Sequence, residues 1–305
     1  VTAPILLLDG GMGQELMRRS KRPPEPLWSA RTIDHEPDLV VAAHADFIAA
    51  GARVITVCSY SATPQRLADE GEADRFETLQ RKACELASRA RDRCGADVAI
   101  AGCLPPLVRS YRPDLAPSPE VMAESYARIV AAQARDVDLF ICETLSGLNE
   151  VTAALGAARG AGATVWAGVT VDDHDGTRLR SGVPVDEAAR VAAEAGADAV
   201  LVNCSSPEAV SDAMRPLSAA GKAFGGLPNG FVSVAPQAAD GVVTRMRARD
   251  DLSPARFVDF ALDWATAGAT LLGGCCEIGP GHLAALRDRL ERDGVSLAPA
   301  PMRRR

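Results

Sequence analysis

The sequence predicts a (β/α)₈ barrel, a single-domain α/β fold built on eight parallel strands. Three observations carry the prediction. Eight short apolar runs each lead into a stretch of helical period. Six of those runs are entered through one recurring connector, a glycine followed by Ala or a polar residue, which suits the left-handed turn that ends a helix. The first run is followed by Asp9-Gly10-Gly11-Met12-Gly13, whose spacing is wrong for the G-x-G-x-x-G of an open dinucleotide-binding sheet.

The strands follow in order. Ile5–Leu8 opens the chain and runs into the Asp-Gly-Gly turn. Val54–Val57 follows Gly51-Ala52, and Val98–Ala101 follows Gly95-Ala96. Asp138–Cys142 is the exception and enters without a glycine. Val165–Val171 follows Gly162-Ala163, Ala199–Asn203 follows Gly196-Ala197, Ala223–Leu227 follows Gly221-Lys222, and Thr270–Gly273 follows Gly268-Ala269. The barrel spans residues 1–296, and 297–305, closing on Arg303, Arg304 and Arg305, reads as a solvated tail. Between the third strand and its helix, the 104–120 segment carries Pro105, Pro106, Pro113, Pro117 and Pro119. It is either a stiff wall of the active-site mouth or a rigid insertion.

Composition narrows the function. A net charge of -7 without a basic stripe argues against nucleic acid as a partner. No apolar run approaches membrane-spanning length, and no signal peptide is visible, so the expected address is cytoplasmic. Eight cysteines in such a chain are expected as reduced thiols and not as a disulfide framework. The sequence does not specify the oligomeric state.

In a barrel, catalytic groups sit at the C-terminal ends of strands. Asp9, Gly10 and Gly11 follow the first strand, Ser59 and Tyr60 the second, and Glu143 and Thr144 the fourth. Asn203-Cys204 closes the sixth, Asn229 follows the seventh, and Gly273-Gly274-Cys275-Cys276 follows the eighth. Three cysteines thus fall on one rim. Three thiolates form a soft donor set for Zn²⁺ that leaves one tetrahedral position open. Neighbouring cysteines fit disulfide geometry poorly, so the vicinal pair suits one metal ion better. A lone cysteine is more often a small buried hydrophobe, the reading given to Cys58, Cys84, Cys94, Cys103 and Cys142. Asp9 and Glu143 are anionic partners for an ammonium, or else a loop cap and a rim ion-pair partner. The Gly10-Gly11 backbone suits a carboxylate. Asn203 and Asn229 are either pocket donors or turn residues. His282, which opens the last helix after Pro280, reads as structural.

These motifs, in order and spacing, resemble the homocysteine S-methyltransferase family over nearly the whole chain. The resemblance implies zinc on Cys204, Cys275 and Cys276, with the Asp-Gly-Gly turn and Glu143 holding the amino-acid end of homocysteine. It implies catalysis at that metal, with homocysteine and a methyl donor as the small-molecule partners. The departures are Gln14 where Thr is common, Cys58 where Asn or Thr is usual, and Glu277-Ile278 after the cysteines. They bear on the donor. A sulfonium donor, S-methylmethionine or S-adenosylmethionine, is expected ahead of betaine, because a sulfonium leaves as a neutral thioether and needs no general acid. A different thiol or a selenol is an alternative acceptor. A zinc-binding or thiol-buffering protein is the non-enzymatic alternative, and it requires a closed four-ligand site.

Overall fold

The eight expected strands form one parallel sheet in the computed structural model, which describes residues 3–23, 27–235 and 246–303. They are β1 (Leu6–Leu7), β2 (Val54–Thr56), β3 (Ala99–Leu104), β4 (Leu139–Leu145), β5 (Val165–Val169), β6 (Ala199–Asn203), β7 (Ala223–Leu227) and β8 (Leu271–Leu272). Each of β2 to β7 pairs with the next strand, and β8 pairs with β1. A parallel bridge between Leu8 and Val54 closes the ring. This is a (β/α)₈ barrel.

Strand periodicity sets what faces inward. Leu6 and Leu8, Ala99 and Ala101, Leu139 and Ile141, and Ala199 and Leu201 alternate into one buried cluster inside the barrel. Two residues further along the same parity stand Cys103, Glu143 and Asn203. The top layer of the barrel is therefore polar where the layers below it are apolar.

The outer layer is built from repeated local signals. All six predicted connector glycines adopt positive φ, between 57° and 115°. Four helices begin with Ser or Thr followed by Pro: Pro64–Asp69, Pro119–Gln133, Pro207–Ser218 and Pro254–Thr266. In each, the hydroxyl accepts from the third backbone N–H of the helix, a cap that contributes about 1 kcal/mol. No helix among the described residues is long and apolar enough to cross a membrane.

The structure differs from the sequence expectation in three places. β3 runs on to Leu104, so Cys103 lies within a strand. β4 runs on to Leu145 through a bulge between Cys142 and Leu145, so Glu143 and Thr144 belong to the strand and do not merely follow it. The closing segment is not simply solvated: Leu297 bridges Ile5, Ala298 N–H donates to the Ile5 carbonyl, and Ala298 and Ala300 pack against the barrel interior. Arg303 donates through its backbone N–H to Asp138 and through its guanidinium to the Ala134 carbonyl. Apolar side chains at the open lower end of a barrel bury better than they solvate. Arg304 and Arg305 lie outside the described residues.

Candidate active site

Three sulfurs converge at the upper rim. Cys204 Sγ lies 3.7 Å from Cys276 Sγ, Cys276 Sγ lies 4.0 Å from Cys275 Sγ, and all three fall within 4.8 Å of one another. Around a tetrahedral ion with metal–sulfur bonds of about 2.3 Å, the sulfurs stand roughly 3.8 Å apart. Two of the separations match that spacing, and the cluster could hold one metal ion. Among the described residues it is the one group of three or more His, Cys, Asp or Glu side chains with such spacing.

Backbone geometry aims these thiols. Cys204 has φ 54°, and Thr144, Tyr111 and Glu277 have φ of 61°, 64° and 66°. Left-handed non-glycine residues cost roughly 1–3 kcal/mol each and gather where a site requires them. The Cys-Cys loop packs directly on the Asp-Gly-Gly turn. A Cβ on Gly10 would lie 2.2 Å from the Ile278 carbonyl oxygen, and one on Gly11 would lie 2.7 Å from that of Cys275. Arg18 secures the far side of this loop through an ion pair with Glu277.

Cys204 is the thiol that carries negative charge most readily. Hydrogen bonding with the Cys275 and Cys276 thiols and with the Tyr111 hydroxyl, 3.1 Å away, holds it well below the usual thiol range. The same pairing pushes Cys275 and Cys276 up. Tyr111 is buried, with the Arg180 guanidinium 4.7 Å from its ring centroid. Arg180 is held in turn by Thr170 and Asp173.

Two carboxyls, from Asp9 and Glu143, stand at the strand ends of the same cavity. Asp9 accepts from the Thr56 backbone N–H at 2.7 Å, which joins the end of β1 to β2. Burial is the largest influence on it and pushes its pKa up to about 8, with the neighbouring Glu143 charge adding to the rise. Glu143 accepts from the Cys103 thiol at 2.9 Å, and burial pushes its pKa up to about 7. Two carboxyls so withdrawn from bulk water, Asp9 buried and Glu143 half-buried, take up a cation readily, because a cation relieves both desolvation and mutual repulsion.

The cavity measures about 560 Å³ and also includes Met12, Met17, Leu27, Trp28, Tyr60, Asp69 and Glu70. A family model described as homocysteine S-methyltransferase matches residues 6–290. The chain belongs to the homocysteine S-methyltransferase family. The homocysteine S-methyltransferase of Escherichia coli (strain K12) is 30% identical, over 93% of this chain and 95% of its own. The selenocysteine Se-methyltransferase of Brassica oleracea var. italica is 28% identical, over 95% of this chain and 90% of its own. The solved metallated form of the Escherichia coli homocysteine methyltransferase MmuM superposes with a TM-score of 0.77 at 27% identity, covering 94% of this chain and 97% of that one.

Within this methyltransferase, Cys204, Cys275, Cys276, Asp9, Gly10, Gly11, Glu143 and Asn203 all line the one cavity. Asn203 spends its carboxamide on Thr144: Oδ1 accepts the Thr144 N–H at 2.7 Å, and Nδ2 donates to Thr144 Oγ1 at 3.0 Å. It thereby clips β6 to the β4 bulge. The Gly11 N–H is likewise committed, to the Ile278 carbonyl. Asn229 does not line the cavity, and its Oδ1 accepts from Phe231 in a turn. Cys58, Cys84 and Cys142 are buried as expected, and Cys94 is exposed.

His282 closes a helix cap on Gly279 and contacts the Leu252 carbonyl. The Pro-rich 104–120 loop is a cavity wall: Arg66 and Thr63 bind its carbonyls at Pro106, Leu107 and Val108, and it delivers Ser110 and Tyr111. Sequence reasoning missed Tyr111, Trp28 and Cys103. An aromatic in a mouth loop was the available signal for Tyr111, and strand parity was the signal for Cys103.

Proposed function

We propose that this chain is a zinc-dependent methyltransferase that transfers a methyl group from a sulfonium donor, S-methylmethionine or S-adenosylmethionine, to the sulfur of homocysteine. The observation that carries the reading is the sharing of one cavity by a three-sulfur cluster and the carboxyls of Asp9, buried, and Glu143, half-buried. Homocysteine has both matching ends, a thiol and an amino-acid head. Zinc held by Cys204, Cys275 and Cys276 supplies thiolate character to the acceptor sulfur at neutral pH.

The chain's own groups do the rest. Asp9 and Glu143 take the substrate ammonium. The carboxylate is placed at the start of the helix Met12–Arg19, where Gly11 offers no side-chain cap and Gly13 and Gln14 line the cavity. First-turn N–H groups lack intrahelical acceptors and attract an anion. The Gly11 N–H is already bonded to Ile278 and the Met12 N–H to Gly10, so the Gly13 and Gln14 N–H groups are the ones we assign to the carboxylate in place of the Gly10-Gly11 turn. Trp28 and Tyr60 also line the cavity, and aromatic rings suit a sulfonium cation, so we assign them to the donor. A sulfonium departs as a neutral thioether, so no side chain has to deliver a proton.

A non-catalytic zinc store requires a fourth Cys or His. The three-membered cluster on an open cavity supports catalysis instead. The test is a panel in which reduced, zinc-loaded protein and homocysteine meet each donor separately. Methionine is expected with S-methylmethionine or S-adenosylmethionine and without corrinoid or folate. Turnover with betaine alone, or only with methylfolate and an added corrinoid protein, overturns the sulfonium mechanism. Selenocysteine in place of homocysteine tests the acceptor, and a strong preference for it reassigns the substrate.

A further inference from the structure

One thiol outside the metal cluster has its own partner in the cavity. Cys103 is 1% exposed, and its Sγ lies 2.9 Å from Glu143 Oε1. We propose that Cys103 is a positioning residue for the acceptor, its thiol donating to the Glu143 carboxylate and fixing the direction in which that carboxylate meets the substrate ammonium. The inference rests on the homocysteine reading above.

A buried polar network fixes the backbone from which the thiol projects. The Cys103 backbone N–H donates to Gln133 Oε1 at 3.0 Å. Gln133 Nε2 donates to Ser59 Oγ at 3.2 Å and to Gln80 Oε1 at 2.6 Å, and Gln80 Nε2 donates to the Ala62 carbonyl at 2.7 Å. Gln133, Gln80 and Ser59 are all buried, so both carboxamides are spent inside the protein. Buried polar groups of this kind are stabilising only when satisfied, and once satisfied they fix a single arrangement. This network ties the top of β3 to the loop after β2 and to the helices Phe76–Cys94 and Pro119–Gln133. It ends on Cys103.

The thiol acts as a donor and not as a nucleophile. Burial and the adjacent Glu143 charge push its pKa well above the usual thiol range, so it keeps its proton. Conversely, its hydrogen bond favours the ionised form of Glu143. The other titratable groups that act on Glu143 or feel its charge are Asp9, Cys58, Tyr60, Cys142 and Cys204. The hydrogen bond that lowers the pKa of Glu143 comes from Cys103 and from none of these.

The experiment is calorimetric titration of homocysteine, without donor, into reduced zinc-loaded protein. Cys103→Ala is expected to weaken homocysteine binding about three- to tenfold, in keeping with loss of a weak donor to a charged acceptor, while zinc content is unchanged. Cys103→Ser keeps a donor and is expected to bind within about twofold of the parent. Equal binding by parent and Cys103→Ala overturns the proposal, and so does equal weakening by both variants, which marks a packing effect. Failure of the parent to bind homocysteine rejects the acceptor reading and the inference with it.

A second measurement guards against a variant that fails to fold. The infrared S–H stretch missing from Cys103→Ser, but present in the parent, is expected at lower wavenumber than those of the thiols in apolar surroundings. It is also expected to move upward in Glu143→Gln. A band unmoved by Glu143→Gln contradicts the donation.

Discussion

Stripping the metal under reducing conditions is expected to abolish methyl transfer while the barrel stays folded. The barrel interior is filled by Leu, Ile, Ala, Val and Trp side chains, and the three ligand sulfurs sit above it on the rim. The fold therefore does not depend on the metal, unlike small domains whose folding free energy is metal binding. Activity is expected to depend on it. A free thiol with a pKa near ~8.5 is only a few per cent ionised at pH 7, so loss of thiolate alone reduces the rate about thirtyfold. Loss of positioning multiplies that deficit. Cys204→Ala, Cys275→Ala and Cys276→Ala should each lose metal and activity together. Far-UV circular dichroism should be nearly unchanged, with a lower melting temperature, because a ligand bound only by the native state stabilises it by mass action. Global unfolding on chelation under reductant would make the site a structural staple. Full metal retention by Cys204→Ala would remove that residue from the ligand set.

Glu143→Gln should raise the KM for homocysteine by about ten- to a hundredfold while zinc content stays at the parent level. Loss of one hydrogen bond to a charged group costs about 1.5–3 kcal/mol. The effect carries a pH signature. Burial raises Glu143 to about 7 and Asp9 to about 8, so in the substrate-free protein both are largely protonated on the acid side of neutrality. An ammonium binds the ionised form, so homocysteine affinity falls as pH drops from about 8 towards 6 and recovers as pH rises through the raised pKa values. Metal binding of the acceptor sulfur also improves with pH, but that contribution is common to parent and variant. The difference between the two KM–pH profiles isolates the carboxyl. Parallel profiles and an unchanged KM would take Glu143 out of the acceptor site. Asp9→Asn is a less clean probe, since Asp9 also binds the Thr56 backbone.

The barrel was legible because its signals are local. An apolar run, a helical stretch and a left-handed glycine repeat six times, and each glycine has the conformation its position implied. The three-cysteine cluster was legible for a related reason: a barrel places strand ends on one rim, so the positions of Cys204, Cys275 and Cys276 pointed to their meeting before any distance was known. Side-chain commitments were not legible. Asn203 looks like a substrate donor until its amide is seen bonded to Thr144, and the Gly11 N–H looks open until it is seen bonded to Ile278. Both partners lie on other strands or loops, and no local pattern reports such pairings. Tyr111 reaches Cys204 from a loop 93 residues away in sequence, and Cys103 was read as a plain core residue because lone cysteines usually are. The bulge in β4 escaped for the same reason: Thr144 takes φ 61° to suit Asn203 and not its own neighbours in sequence.

The central claim is that the three-cysteine cluster holds zinc and that the acceptor sulfur joins it there. X-ray absorption at the zinc edge, on reduced zinc-loaded protein with and without homocysteine and with no methyl donor present, tests this directly. The prediction is a sulfur-dominated shell that gains one sulfur at about 2.3 Å when homocysteine is added. A sulfur count unmoved by homocysteine would contradict the claim.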